Sequence, residues 1–119
     1  MMKSKVLVTE TIAEDGLDVL RKGAEVDFQP NLKFEELLEV IPNYDALVVR
    51  SSTKVTEQVI EAGKRLKVVA RAGVGVDNID VTAATRRGVV VVNAPGGSTT
   101  AAAEHSIAMM LSLARHIPH

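Results

Sequence analysis

The 119 residues contain no cysteine and no tryptophan, and only one tyrosine and two phenylalanines. Without cysteine, disulfides, thiol catalysis and thiolate metal sites are excluded, a composition that suits a cytoplasmic protein. Three aromatic side chains leave little on which nucleic-acid bases could stack. A net charge of −1 creates no overall field toward nucleic acid or an anionic membrane surface. No apolar run approaches the length of a membrane span. Lys3 and Lys5 are followed by Glu10 before a signal-peptide apolar core could form, so no leader is expected within these residues. A Ser/His/Asp triad, a Cys/His pair and a metal-ligand cluster are likewise missing, and nothing is low-complexity.

What is present has the balance of one soluble globular domain, with 46% hydrophobic and 24% charged residues. Val6-Leu7-Val8 reads as a first buried strand. A helix is predicted over 10–22, with Ile12, Ala13, Leu17 and Leu20 on one stripe and Gly23 as its stop. Glu25-Val26-Asp27-Phe28 alternates like a half-buried strand, and Pro30-Asn31 turns the chain. Phe34, Leu37, Leu38 and Ile41 have amphipathic helical spacing, closed by Pro42. Ala46-Leu47-Val48-Val49 is continuous enough for a strand buried on both faces. Thr56 is placed to cap a helix running to Gly63, with Val55 and Ile60 as its hydrophobic staple. Val68-Val69-Ala70 is a fourth strand. Asp80 caps a helix ending in Arg86-Arg87-Gly88, where cations and then glycine suit the helix dipole and a left-handed cap. Val89-Val90-Val91-Val92 is a fifth strand.

Strands alternating with helices predict an α/β fold, a doubly wound five-stranded parallel sheet covered on both faces. Ligands of such sheets bind beyond the carboxyl ends of the strands. That rule puts Thr9, Arg50, Arg71 and Asn93 on one rim. From Ser98 to about Ile117 a further helix is predicted, apolar around most of its circumference and therefore expected to be buried on several sides. It either folds back onto the sheet or pairs with a second chain, and pairing is the expectation because large exposed apolar patches are rare on monomers.

Three loops carry the candidate chemistry. Gly73-Val74-Gly75 could offer backbone N–H groups to a carboxylate or phosphate, with φ > 0 open to the glycines; a tight strand-to-helix turn is the alternative. It is not a dinucleotide fingerprint, because the third glycine position is Asn78 and the residue about 20 further on is Ser98 rather than an acid. Arg50-Ser51-Ser52-Thr53 supplies a guanidinium and hydroxyls suited to an oxyanion, or a solvated arginine with a capping cluster. Arg71 reads equally as an anion ligand or as the partner of Asp77 or Asp80. Asn93-Ala94-Pro95-Gly96-Gly97 reads as a hinge or as an ordinary loop. His105 is expected to be packed or interfacial. His116 and His119, spaced i, i+3, give at most a fortuitous metal contact.

The segments VVRSSTKVT (48–56), VVARAGVGVDNIDVTAATRRGVVVVNAPGGSTTAAAEH (68–105) and LARHIP (113–118) resemble the D-2-hydroxyacid dehydrogenase family. Within it they are closest to the branch that oxidises 3-phosphoglycerate to 3-phosphohydroxypyruvate in the first step of serine synthesis. The resemblance covers nearly the whole chain, in order and at the expected spacing. It implies a flavodoxin-like substrate (lid) domain over 1–97, and over 98–119 the first helix of an NAD-binding domain, which packs in a homodimer interface. It implies that backbone groups around Gly73, Val74 and Gly75 hold the substrate carboxylate. By the same resemblance Arg50 and Ser51 lie near the phosphate, and Arg71 and Asn93 line the cleft. The family's G-x-G-x-x-G loop, its acidic ribose ligand and its catalytic Arg, Glu and His would lie beyond His119. So would the segment that completes the substrate domain. The resemblance therefore implies the N-terminal part of a longer NAD-dependent enzyme, inactive and without bound cofactor as it stands. A stand-alone flavodoxin-like module binding a small anion is the competing reading. A response-regulator receiver is disfavoured by Thr9-Glu10 and Arg50 where acids would stand, and a flavodoxin by the few aromatics.

Overall fold

The computed structural model describes residues 3–117; the His116–His119 spacing considered above lies outside them through His119. The elements follow in the order β1 (Lys5–Val8), α1 (Glu14–Gly23), β2 (Glu25–Phe28), α2 (Phe34–Val40), a 3₁₀ turn (Ile41–Asn43), β3 (Ala46–Val49), α3 (Glu57–Ala62), β4 (Val68–Arg71), α4 (Val81–Arg86), β5 (Val90–Val92) and α5 (Thr99–Arg115). The strands form one sheet in the order β2-β1-β3-β4-β5, with every neighbouring pair parallel. This is the doubly wound order of flavodoxin-like domains, in which strand order reverses beside β1.

Register sorts the strand residues onto two faces. Leu7, Leu47, Val69 and Val91 lie opposite one another across four strands, and the first three are fully buried. They join Leu37 and Ile41 from the α2 region, Val55, Val59 and Ile60 around α3, and Ala83 and Ala84 of α4 in the main core. The other face is built on Val6, Val8 and Val48 packed against Leu17 of α1. α1 is the one helix on that second cluster, so the expectation of cover on both faces holds only in part. Val90 and Val92, on the second face of β5, stay 56% and 43% exposed.

Local chemistry explains most of the element ends. The Asp80 carboxylate accepts the Ala83 N–H at 2.9 Å, and the Thr56 hydroxyl accepts the Val59 N–H at 3.5 Å. Gly88 has φ +70°, the left-handed stop predicted after Arg86-Arg87. Val55 and Ile60, the expected staple, are both fully buried. The helix predicted from Glu10 begins only at Glu14. Its expected first turn is used elsewhere, because Glu10 bonds the loop after β3 and the Thr11 carbonyl accepts from Arg50 at 3.2 Å.

Helix α5 finds no cover within the chain. None of its residues is buried, although Ile107, Met109, Met110, Leu111 and Leu113 are all apolar and 53–75% exposed. It does not fold back onto the sheet, and the molecule extends to 57 × 30 × 24 Å. His105, expected to be packed or interfacial, is not packed within the chain and lies exposed on this helix.

Candidate functional site

Because the strands are parallel, the residues following β1, β3, β4 and β5 emerge on a single rim. Three backbone bonds knit it together: Thr9 N–H to the Val48 carbonyl at 3.1 Å, Ala72 N–H to Val49 at 2.9 Å and Ala94 N–H to Gly73 at 2.8 Å. A cleft of about 400 Å³ opens there, lined by Arg50, Ser51, Arg71, Ala72, Gly73, Ala94, Gly97 and Ser98. Of the residues singled out from sequence, Arg50, Ser51, Arg71 and Gly73 share this cleft. Val74, Gly75 and Asn93 are not among its lining residues but border it. The Asn93 amide donates to the Val74 carbonyl at 2.6 Å, which ties the end of β5 to the glycine loop. Among the described residues, the N–H groups of Val74 and Gly75 donate to no protein acceptor.

The backbone freedom expected of the glycines is not used. Neither Gly73 nor Gly75 has a positive φ, so the loop does not depend on glycine's left-handed freedom. What matters is room. A Cβ at position 73 would lie 3.2 Å from Arg71 Nε and 3.9 Å from its Nη2; one at position 75 would lie 3.2 Å from Asp77 Oδ1. The glycines leave space for the Arg71 guanidinium and for its acidic partner.

Of the two readings of Arg71, the pairing with Asp77 is the one seen in the fold. Its Nη1 donates to Asp77 Oδ1 at 2.7 Å and to Asn78 Oδ1 at 2.6 Å. That bond, made chiefly by the Arg71 side chain, holds the Asp77 carboxylate below its ordinary range. Asp80, the other partner considered, caps α4 instead. Arg71 Nε, in contrast, is buried without a partner among the described residues. One end of the guanidinium is thus anchored while its Nε packs over Gly73.

The Arg50 loop also departs from expectation. Three of its backbone N–H groups are not open to a ligand, because the Glu10 carboxylate accepts from Arg50, Ser52 and Thr53 at 2.6, 2.9 and 3.1 Å. Burial by itself would raise the Glu10 pKa. The backbone donors of Ser52, Arg50 and Thr53 together outweigh that and hold it below the usual carboxylate range. The Thr53 hydroxyl is engaged with the Thr9 hydroxyl at 2.9 Å. Arg50 and Ser51 line the cleft, and the Arg50 Nη1 donates to the Thr11 carbonyl at 3.2 Å.

Two residues here escaped sequence reasoning. Glu10 was assigned to a helix, and Asn78 was noticed only as a missing glycine. Asn78 is 5% exposed and donates from Nδ2 to the carbonyls of Arg50 and Thr53, each at 2.7 Å. Its Oδ1 accepts from Arg71. An Asn shortly after a strand end, between a glycine loop and a helix cap, is a weak signal, since its partners are distant in sequence.

The site is cationic and does not suit a dinucleotide. The place of a third phosphate-cradle glycine is filled by a fully engaged Asn78, and Arg71 occupies the space above Gly73. The N-terminus of α4 is already satisfied by the Asp80 carboxylate. No cluster of metal-ligating side chains occurs among the described residues, and no helix there is long and apolar enough to cross a membrane.

Sheet order and rim together define a doubly wound, flavodoxin-like α/β domain. The chain belongs to the D-isomer specific 2-hydroxyacid dehydrogenases: the family's catalytic-domain model matches residues 6–113. It is 57% identical over 115 residues to a D-3-phosphoglycerate dehydrogenase of Synechocystis sp., covering 97% of this chain and 21% of that protein. To the Archaeoglobus fulgidus D-3-phosphoglycerate dehydrogenase it is 58% identical over 115 residues, covering 96% and 22%. The crystal structure of NAD+-bound 3-phosphoglycerate dehydrogenase from Entamoeba histolytica superposes with a TM-score of 0.80 at 35% identity, over 92% of this chain and 39% of that one. The chain therefore spans about a fifth of the length of the curated relatives it matches.

Proposed function

We propose that these residues form the substrate-binding part of an NAD-dependent D-3-phosphoglycerate dehydrogenase, the oxidoreductase that converts 3-phosphoglycerate to 3-phosphohydroxypyruvate in serine biosynthesis. The observation that carries this reading is the Arg71 guanidinium. Its Nη1 is anchored, while its buried Nε has no protein acceptor and borders a cleft that Arg50 also lines. A buried unpaired donor is costly, on the order of 1–3 kcal/mol, and the residue carrying it lines the cleft, where its guanidinium is the group an anionic oxygen would meet. Two guanidinium groups suit a ligand with two anionic ends, and Arg favours carboxylate and phosphate over neutral groups. In this assignment Arg50 and Ser51 meet the phosphate. The free N–H groups of Val74 and Gly75 meet the carboxylate, with Arg71, Gly73 and Asn93 shaping the cleft between them.

Recognition is what these residues supply. Hydride transfer needs a nicotinamide and a general base held against the substrate, and the glycine loop described above is not built for the dinucleotide. We therefore assign NAD to the longer enzyme, and inactivity to the 119 residues alone. Residues 1–97 act as the substrate domain, and 98–119 as the first helix of the cofactor domain. The exposed apolar surface of α5 supports pairing of two chains through 98–117. The absence of cysteine is in keeping with a cytoplasmic setting.

Calorimetric titration of the 119-residue chain with 3-phosphoglycerate, D-lactate and NAD tests the assignment. Saturable binding of 3-phosphoglycerate, weaker binding of D-lactate and none of NAD is expected. NAD-dependent oxidation of 3-phosphoglycerate by this polypeptide would overturn the inactive assignment. Equal affinity for 3-phosphoglycerate and inorganic phosphate would favour a simple anion-binding module instead.

A further inference from the structure

Among the described residues the buried polar side chains are Thr9 and Asn78, and Asn78 bonds two residues that line the cationic cleft, Arg50 and Arg71. A primary amide is tolerated in a core only when its groups are bonded. Asn78 uses both N–H donors on the Arg50 and Thr53 carbonyls and its oxygen on Arg71 Nη1. The amide's orientation follows from its partners: a flip would set its oxygen against two carbonyls and its NH2 group against a guanidinium. No other residue type fits so well. A carboxylate of the same shape would place an acceptor against both carbonyls, and an aliphatic side chain would leave two loops unjoined.

We propose that Asn78 is a positioning residue that locks the Arg71 guanidinium in its ligand-ready orientation and couples it to the Arg50 loop. This rests on the reading of the cleft as a substrate site. Arg71 has a second partner, Asp77, but that side chain is 84% exposed, where ion pairs are screened and weak. The buried neutral amide is therefore the dominant anchor. With Nη1 held by Asn78, the opposite edge of the guanidinium lies over Gly73, at the distances that only a residue without Cβ allows. The same amide fixes both ends of the 50–53 loop by their carbonyls, while Glu10 fixes its N–H groups. The two arginines are thus held in register by one side chain that touches neither the carboxylate nor the phosphate of a ligand.

The test follows the Nε–H resonance of Arg71 by nitrogen-15 NMR in the 119-residue chain, alongside 3-phosphoglycerate titration. In the unaltered chain this resonance should be distinct, ordered and slow to exchange. Asn78→Ala should bring it to the averaged position of exposed arginines and weaken 3-phosphoglycerate binding about tenfold. Asp77→Ala, which removes the other acceptor of Nη1, should leave the resonance ordered. Asn78→Asp, which keeps an acceptor for Nη1, should also leave it ordered but broaden the backbone amides of 50–53. The proposal is overturned if Asp77→Ala frees Arg71 as fully as Asn78→Ala does, or if Asn78→Ala leaves the resonance in place. Should Asn78→Ala lose its folded spectrum, the Asn78→Asp variant decides, and a disordered Arg71 there overturns the assignment. Failure of the unaltered chain to bind 3-phosphoglycerate would remove the substrate assignment, while the resonance comparison would still decide the positioning role.

Discussion

The Glu10 carboxylate accepts the backbone N–H of Arg50 at 2.6 Å, across forty residues of sequence. Two more donors, from Ser52 and Thr53, complete the arrangement, so a protein carboxylate fills the N–H pocket that the loop would otherwise offer to a ligand. The consequence is that an anion in the cleft meets side chains of this loop, and its backbone serves only to hold them.

Glu10→Gln keeps the shape and removes the charge. A carboxylate whose folded pKa is depressed stabilises the fold above its ordinary value of 4.5, and that stability is lost as pH falls through the lowered folded value. At neutral pH the variant should be less stable by roughly 1 kcal/mol, a figure reduced for partial solvent exposure. Urea unfolding at neutral and acid pH checks this, and the gap between the two proteins should close at the acid end.

Gly73→Ala isolates the role of Arg71 Nε. The added Cβ arrives 3.2 Å from that nitrogen, and no positive φ opposes it. Thermal stability should therefore change by no more than about 0.5–1 kcal/mol, whereas 3-phosphoglycerate affinity should fall several-fold as the guanidinium is pushed aside. Unchanged affinity would show that this edge of Arg71 does not meet the ligand.

Tyr44 is the chain's only tyrosine, and tryptophan is absent, so its ionisation is read directly from phenolate absorbance. Burial, and then its hydrogen bond to Asp27 Oδ2 at 2.6 Å, push its pKa from 10.0 up to about 12. The neutral phenol is the bonded form, so this stabilisation is complete below pH 10 and is lost as pH rises through the folded value. The absorbance midpoint should lie near 12, and Asp27→Asn should draw it back toward the ordinary phenol.

Pairing through α5 is tested by analytical ultracentrifugation. Met110 and Leu113 stand one turn apart on the helix and are 62% and 75% exposed. The 119-residue chain should sediment as a dimer. Converting both residues to glutamate should weaken association at least about tenfold, because two charges would be buried without partners. A monomer at high concentration in the unaltered chain would remove the pairing proposal.

Much of the scaffold was legible from local pattern. The runs at 46–49 and 68–70 are apolar without alternation because strands of a parallel sheet are covered on both faces, and they are strands here. Asp80 and Gly88 announced the start and end of α4 through chemistry that acts within a few residues. The all-round apolar pattern of α5 was equally plain. That it would find no cover within the chain was not, since this depends on where the sheet's uncovered area lies.

The residues that set the site were another matter. Glu10 has the propensity to begin a helix, and only the arrival of 50–53 beside it makes three backbone donors a better use of its carboxylate. Asn78 carries no local signal, because its Arg50 and Thr53 partners lie 28 and 25 residues away. Gly73 and Gly75 were recognisable as necessary, but the reason for them, room for Arg71 and Asp77 rather than a left-handed backbone, required the side chains in place. Alternation of β-branched runs with capped helices was enough to determine a parallel sheet and to put Arg50, Arg71 and Asn93 on one rim, because periodicity and capping act over one or two turns. Which groups on that rim stay free to meet a ligand was decided by tertiary contacts alone, because hydrogen-bond satisfaction depends on what folding brings within 3 Å.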